Sequence, residues 1–159
     1  LANLGKNIDV VARIFDETMR DKRNCAGLLL SREPFCCAVS VHHRLAVKDK
    51  LKIKDLYGEN LMLMRRDWSN YVDRLRDDIW QNHSQIHIVD FDFYSMEAFN
   101  RCENSNDVLL AIAGWANVHP LLKVIPVEWE HSIPFGLLHS PQPSETVKKF
   151  LEAAQRAVN

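Results

Sequence analysis

Short apolar runs alternate with polar, helix-periodic stretches along this chain, and the alternation predicts its elements. The stretch "NIDVVARIF" (residues 7–15) is rich in β-branched residues and reads as a buried strand. "FDETMRDKRN" follows as a polar connection with room for one helical turn. "CAGLLLS" and "FCCAVSV" read as two further strands, parted by Arg32, Glu33 and Pro34. "HHRLAVKDKLKIKDLYGE" is a charged connector with a short helix near Lys54–Tyr57, closed by Gly58.

The next run, Leu61–Met64, is continuously apolar, as in a strand covered on both faces. Behind it Val72, Leu75 and Ile79 fall at helical spacing, with Asp73, Arg76 and Asp77 outside the stripe. Asp67, Ser69 or Asn70 can cap that helix. "QIHIVDFDF" is another strand, and Ser95 caps a short helix with Met96 and Phe99 on one side. "DVLLAIAG" is a further apolar segment ending at Gly114, and "LKVIPVEW" and "IPFGLLHS" are strand-like. Ser144 opens a last helix whose stripe is Val147, Phe150, Leu151, Ala154 and Val158. Strands that alternate with helices predict an α/β fold with largely parallel pairing.

A length of 159 residues fits one domain or two small lobes around a shared core. The net charge is -1 and no Lys or Arg block dominates a face, which argues against nucleic-acid clamping by this segment. No apolar run approaches the roughly 20 residues of a membrane span. No signal peptide is visible, and a start at Leu1 in mid-pattern reads as a piece of something longer. The four cysteines, Cys25, Cys36, Cys37 and Cys102, lack C-x-x-C spacing and read as free buried thiols in a reducing cytoplasm.

Most candidate chemistry has an ordinary explanation. His42 and His43 are adjacent, so on a strand they face opposite ways, and no further ligand stands at a metal-binding spacing. Asp90 and Asp92 share one strand face opposite Val89, Phe91 and Phe93, which suits a half-exposed strand; their place near its C-terminal end is where open α/β sheets bind ligands. Glu128 and Glu130 flank Trp129 in the same manner. No phosphate loop, dinucleotide fingerprint or nucleophile elbow occurs, so neither a cofactor nor an enzyme is implied.

Arg65 and Arg66 stand apart. They end a buried strand where a helix begins, and a helix start offers unpaired N–H groups and partial positive charge. Together these suit a carboxylate or other small anion; equally, the arginines pair with Asp67 and Asp73 on the surface. Arg13, near the end of its strand, is either solvent-facing or a second anion contact.

The order of these pieces resembles the effector-binding domain of LysR-type transcriptional regulators. "NIDVV" looks like that family's Asp-containing second strand. "FCCAVSVHHRLA" resembles its strand and His-Pro-Leu-Ala-like turn, with Arg44 in place of the usual proline. "LKIKDLYGENLMLM" resembles the Asp-Leu and strand segment that crosses between lobes, and "LLKVIPVEWEHSIPFGLLHSPQPSETVKKFL" the return strands and final helix. The likeness covers nearly the whole chain. The family's first strand and helix and its DNA-binding helix-turn-helix have no counterpart in it. The family's Gly-rich segment stands here as "AGWANVHP", with bulky Trp115 in place of something small.

The resemblance implies a two-lobed fold of the type-II periplasmic-binding-protein kind. Lobe I would comprise residues 1–58 and 130–159, and lobe II residues 59–129. A small-molecule effector, an anion being well suited, would bind between them. The implied contacts are Arg65, Arg66, Ser69, Phe93, Tyr94, Ser95 and Trp115 on the second lobe and Arg13 and Ser40 on the first. The resemblance also implies a cytoplasmic homo-oligomer, the helix Tyr71–Gln81 forming half of the contact, which reaches DNA through another domain and no membrane. A transporter's solute-binding protein shares this architecture and is the alternative reading.

Overall fold

The computed structural model describes residues 2–159. In chain order the elements are β1 (Val10–Ile14), α1 (Glu17–Arg23), β2 (Ala26–Ser40), β3 (Leu51–Lys52), β4 (Asn60–Met64), α2 (Asn70–Asn82), β5 (His87–Phe91), α3 (Met96–Glu103), β6 (Val108–Ile112), β7 (Leu122–Glu128), β8 (Ser132–His139) and α4 (Glu145–Val158). A 3-10 turn at Ile53–Leu56 takes the place of the short helix expected before Gly58. The elements form two compact units, Leu1–Arg32 with Ile133–Asn159, and Glu33–Ser132.

In the first unit β1 and β8 pair antiparallel, from Val10 opposite His139 to Ile14 opposite Phe135. β8 also neighbours β2. A Cβ at Gly136 would collide with the Leu28 carbonyl oxygen and the Phe15 ring, so glycine lets those two strands approach. Phe15, Cys25 and Leu138 form a small core, with Leu4 packed against it. Ser144 caps α4 by accepting from the Val147 N–H at 3.3 Å. Of the stripe expected on α4 only Val147 is buried; Phe150 is 53% and Val158 48% exposed.

The second unit takes the rest of β2 and the elements from β3 to β7. β6 pairs with β2 antiparallel, Phe35 opposite Ile112, and with β4 parallel, Leu61 opposite Val108. β4 pairs with β5 parallel, Asn60 opposite His87. On its other edge β2 pairs antiparallel with β7, and β7 pairs parallel with β3. The pairing is therefore mixed rather than largely parallel, because β2 runs against both of its neighbours here. The two strands expected on either side of Arg32–Pro34 are one strand, β2. Pro34 lies just before the first residue that pairs with β6.

Alternation along β4 splits its side chains between two faces. Met62 joins Phe91, Ala98, Phe99, Cys102, Leu109 and Ala111 in the core under α3. Leu61 and Leu63, also fully buried, are left for the face where α2 lies against β4 with Val72, Leu75 and Ile79 inward. On α3, Phe99 is buried but Met96 is 59% exposed, so only half of the expected pair faces inward. All four cysteines are free and buried.

Candidate functional site

β4, β5 and β6 are parallel neighbours, with Met64 opposite Phe91 and Met62 opposite Leu109. Their C-terminal ends therefore share one edge of the sheet. The segments that leave this edge carry Arg65, Arg66 and Ser69 after β4, Phe93, Tyr94 and Ser95 after β5, and Trp115 after β6. Seven of the nine residues singled out in the sequence thus follow strand ends at this edge.

Two are not. Ser40 ends β2, which runs against β6, so it lies at the opposite edge, paired with Leu122 at the start of β7. There it borders a hollow of about 270 Å³ with His42, His43 and Asn104. His43 is buried, its Nδ1 accepting from the Leu45 N–H at 3.0 Å and its Nε2 facing Glu59 at 3.1 Å. Arg13 belongs to the other unit. Its Nε donates to the Ile14 carbonyl at 3.3 Å, and burial and then the nearby Arg23 lower its pKa.

The link from β4 to α2 is tightly turned. Asp67 has φ +74°, a left-handed backbone, and its N–H donates to Asp73 Oδ2 at 3.1 Å. Ser69, 2% exposed and extended, caps α2 by accepting from the Val72 N–H at 3.5 Å. The Arg65 N–H donates to the Phe91 carbonyl, its Nε lies 3.3 Å from Asp92, and its guanidinium lies 6.0 Å from the Trp68 ring. Arg66 donates to Asp77 at 2.7 Å, which raises the arginine's pKa and lowers that of the carboxylate. Both arginines pair with carboxylates, but with Asp92 and Asp77 rather than Asp67 and Asp73. All four side chains are half exposed or more. Ion pairs so exposed to solvent contribute little, so a ligand's acid group can replace either carboxylate at little cost.

Arg76 carries more weight than its sequence position indicates. Expected on the outer side of α2, it is only 9% exposed. It donates to the Met64 carbonyl at 2.6 Å and pairs with Asp90 at 2.7 Å, tying α2 to the ends of β4 and β5. Its Nε is buried without a partner among the described residues. The signal was its place beside Leu75 at the border of the apolar stripe.

After β5 the chain turns inward and then out. The Tyr94 hydroxyl donates to the Leu110 carbonyl at 2.6 Å, and burial pushes its pKa far above the ordinary phenol range. Its ring meets Trp115 edge-on at 4.5 Å and Phe91 at 4.9 Å. Trp115 also stands edge-on to Phe99 at 6.2 Å, so half-buried Trp115 and Tyr94 wall the edge from the core side. Ser95 caps α3 by accepting from the Ala98 N–H at 3.3 Å. Phe93 is 62% exposed. Beside it opens a cavity of about 320 Å³ over Met62, Phe91 and Ala98. Among the described residues no group of three or more His, Cys, Asp or Glu side chains is placed to hold a metal ion.

Residues 2–159 match the family described as the LysR substrate binding domain. The chain belongs to this family. No curated protein sequence matches it. Among solved structures it is similar to the effector-binding domain of QuiR in complex with shikimate, with TM-score 0.70 at 16% identity over 98% of this chain and 75% of that one. It is similar to CbnR, a LysR family transcriptional regulator, with TM-score 0.72 at 16% identity over 99% of this chain and 55% of that one. The BenM effector-binding domain with its effector benzoate gives TM-score 0.61 at 17% identity over 99% of this chain and 72% of that one. These identities speak for the fold. Membership of the LysR family separates the chain from the transporter alternative and makes it the ligand-sensing domain of a LysR-type regulator.

Proposed function

We propose that the edge where β4, β5 and β6 end is the effector site of this LysR domain, and that it receives a small molecule bearing an acid group. Arg65, Arg66 and the Ser69-capped start of α2 take the anion. Phe93, Tyr94, Ser95 and Trp115 supply the apolar wall and a few polar groups. The observation that carries the reading is the parallel register of the three strands, which assembles these residues from separate parts of the chain. Ser40, at the other edge, and Arg13, in the other unit, are left out of it. The domain senses its ligand rather than transforming it, acting in the cytoplasm as part of a DNA-binding regulator. The test is calorimetric titration of small carboxylates, benzoate and shikimate among them. For any that binds, Arg65→Ala and Arg66→Ala should each weaken affinity about ten-fold, the worth of a hydrogen bond to a charged group. Unchanged affinity in both removes the assignment.

We further propose that the regulator works as a homo-oligomer in which α2 meets a second copy. Trp80 on α2 is 77% exposed beside a hollow of about 490 Å³ lined with Ile86 and Ile88, next to β5, whose only ladder among the described residues is to β4. A large aromatic left in water beside an unpaired strand edge is what an interface covers. Light scattering of Trp80→Glu should show a smaller particle than the parent, and an unaltered mass would count against this contact.

A further inference from the structure

The cavity beside Phe93 narrows the chemistry of the ligand. Its floor is Met62, Phe91 and Ala98, all in or next to the core. Its charged lining is Asp90, Asp92, Glu97 and Arg101. Three of these have partners: Asp90 is held by Arg76 at 2.7 Å, Asp92 by Arg65 at 3.3 Å, and Arg101 lies 3.7 Å from Asp107. Glu97 has no ion pair among the described residues, although Arg101 lies four residues along the same face of α3. One carboxylate therefore stands uncompensated over an apolar floor, with an exposed phenyl ring beside it. A glutamate in the first turn of a helix suits the helix dipole, and that alone would account for Glu97. It does not account for the hollow or for leaving Phe93 62% exposed. A carboxylate and an exposed aromatic ring bordering the same hollow, over an apolar floor, suit a protonated amine with a hydrocarbon body.

We infer that the effector carries a protonated amine as well as its acid group, and belongs to the class of amino acids with apolar side chains. The inference rests on the reading of the β4–β6 edge as the effector site. The acid group goes to Arg65, whose partner Asp92 borders the hollow, the amine to Glu97 and the Phe93 ring, and the side chain to the floor over Met62, Phe91 and Ala98.

The test compares matched ligands by calorimetry on the 159-residue chain: L-phenylalanine, 3-phenylpropionate and 2-phenylethylamine, then L-leucine with 4-methylpentanoate. At least one amino acid should bind about ten-fold or more tightly than its desamino acid, the gap a charge-assisted hydrogen bond produces. In Glu97→Gln that gap should close. Desamino acids that bind as well as the amino acids overturn the inference while leaving the edge as an acid-binding site. A gap that survives in Glu97→Gln overturns it as well. Absence of binding by every member of the panel also overturns it, and the fate of the edge itself is then decided by the benzoate and shikimate titrations in the arginine variants.

Discussion

Arg76 shows how one side chain can join elements that hydrophobic patterning treats separately. Its guanidinium crosses from α2 to the Met64 carbonyl and to Asp90, joining the helix to two strand ends. Arg76→Met keeps the apolar bulk and removes both bonds. It should lower stability by about 1–3 kcal/mol in urea unfolding, the cost of leaving a buried acceptor without its donor. A change below 0.5 kcal/mol would show that solvent replaces the arginine. The sequence indicated the opposite orientation, since a charged residue at the border of a stripe is usually solvated. The caps Ser69 and Ser95, and the place of Arg65 and Arg66 just past the end of β4, were legible because each combines a residue type with an element boundary. Their ion-pair partners were not, because Asp92 and Asp77 reach the arginines through strand register and helix pitch rather than through adjacency in the chain.

At the scale of elements, the apolar runs located every strand except the two-residue β3, and the two clearest stripes marked α2 and α4. Serine caps stand at Ser95 and Ser144, as the sequence indicates, and at Ser69, one of the three capping candidates it offers for α2. The continuity of β2 is hidden in the sequence because Arg32, Glu33 and Pro34 have the composition of a turn. The backbone stays extended there, and β2 takes up new partners beyond them, from Phe35 onward. A unit boundary inside a strand leaves no Gly- or Ser-rich linker to read. The sense of pairing was hidden for a related reason. Residue patterns separate strands from helices, whereas parallel or antiparallel neighbours depend on which strands meet. That same ambiguity kept Ser40 among the candidate contacts, although the direction of β2 carries it to the far edge.

Across the molecule, carboxylates held in their charged form set the response to acid. Asp78 is held below the usual carboxylate range by its hydrogen bond from His131 and then by Asn82. Asp77 is lowered by Arg66, and Asp55 by Lys48 and the Lys52 N–H. A carboxylate whose pKa is depressed on folding stabilises the folded state above its unfolded value, near 3.9. That contribution is lost as pH falls through the folded value. Urea-unfolding stability should therefore hold down to about pH 5 and decline below about pH 4. In Asp78→Asn the decline should be shallower. An identical acid profile in that variant would show that His131 does not couple to folding.

The bond from the Phe35 N–H to the His131 carbonyl, at 2.9 Å, lies near both ends of the Glu33–Ser132 unit. The Trp129 indole donates to the Phe35 carbonyl at 2.8 Å and doubles the fastening. This hundred-residue unit thus has its two ends stitched together by bonds of its own. It occupies one uninterrupted stretch of the sequence, whereas the residues of the other unit come from both ends of the chain.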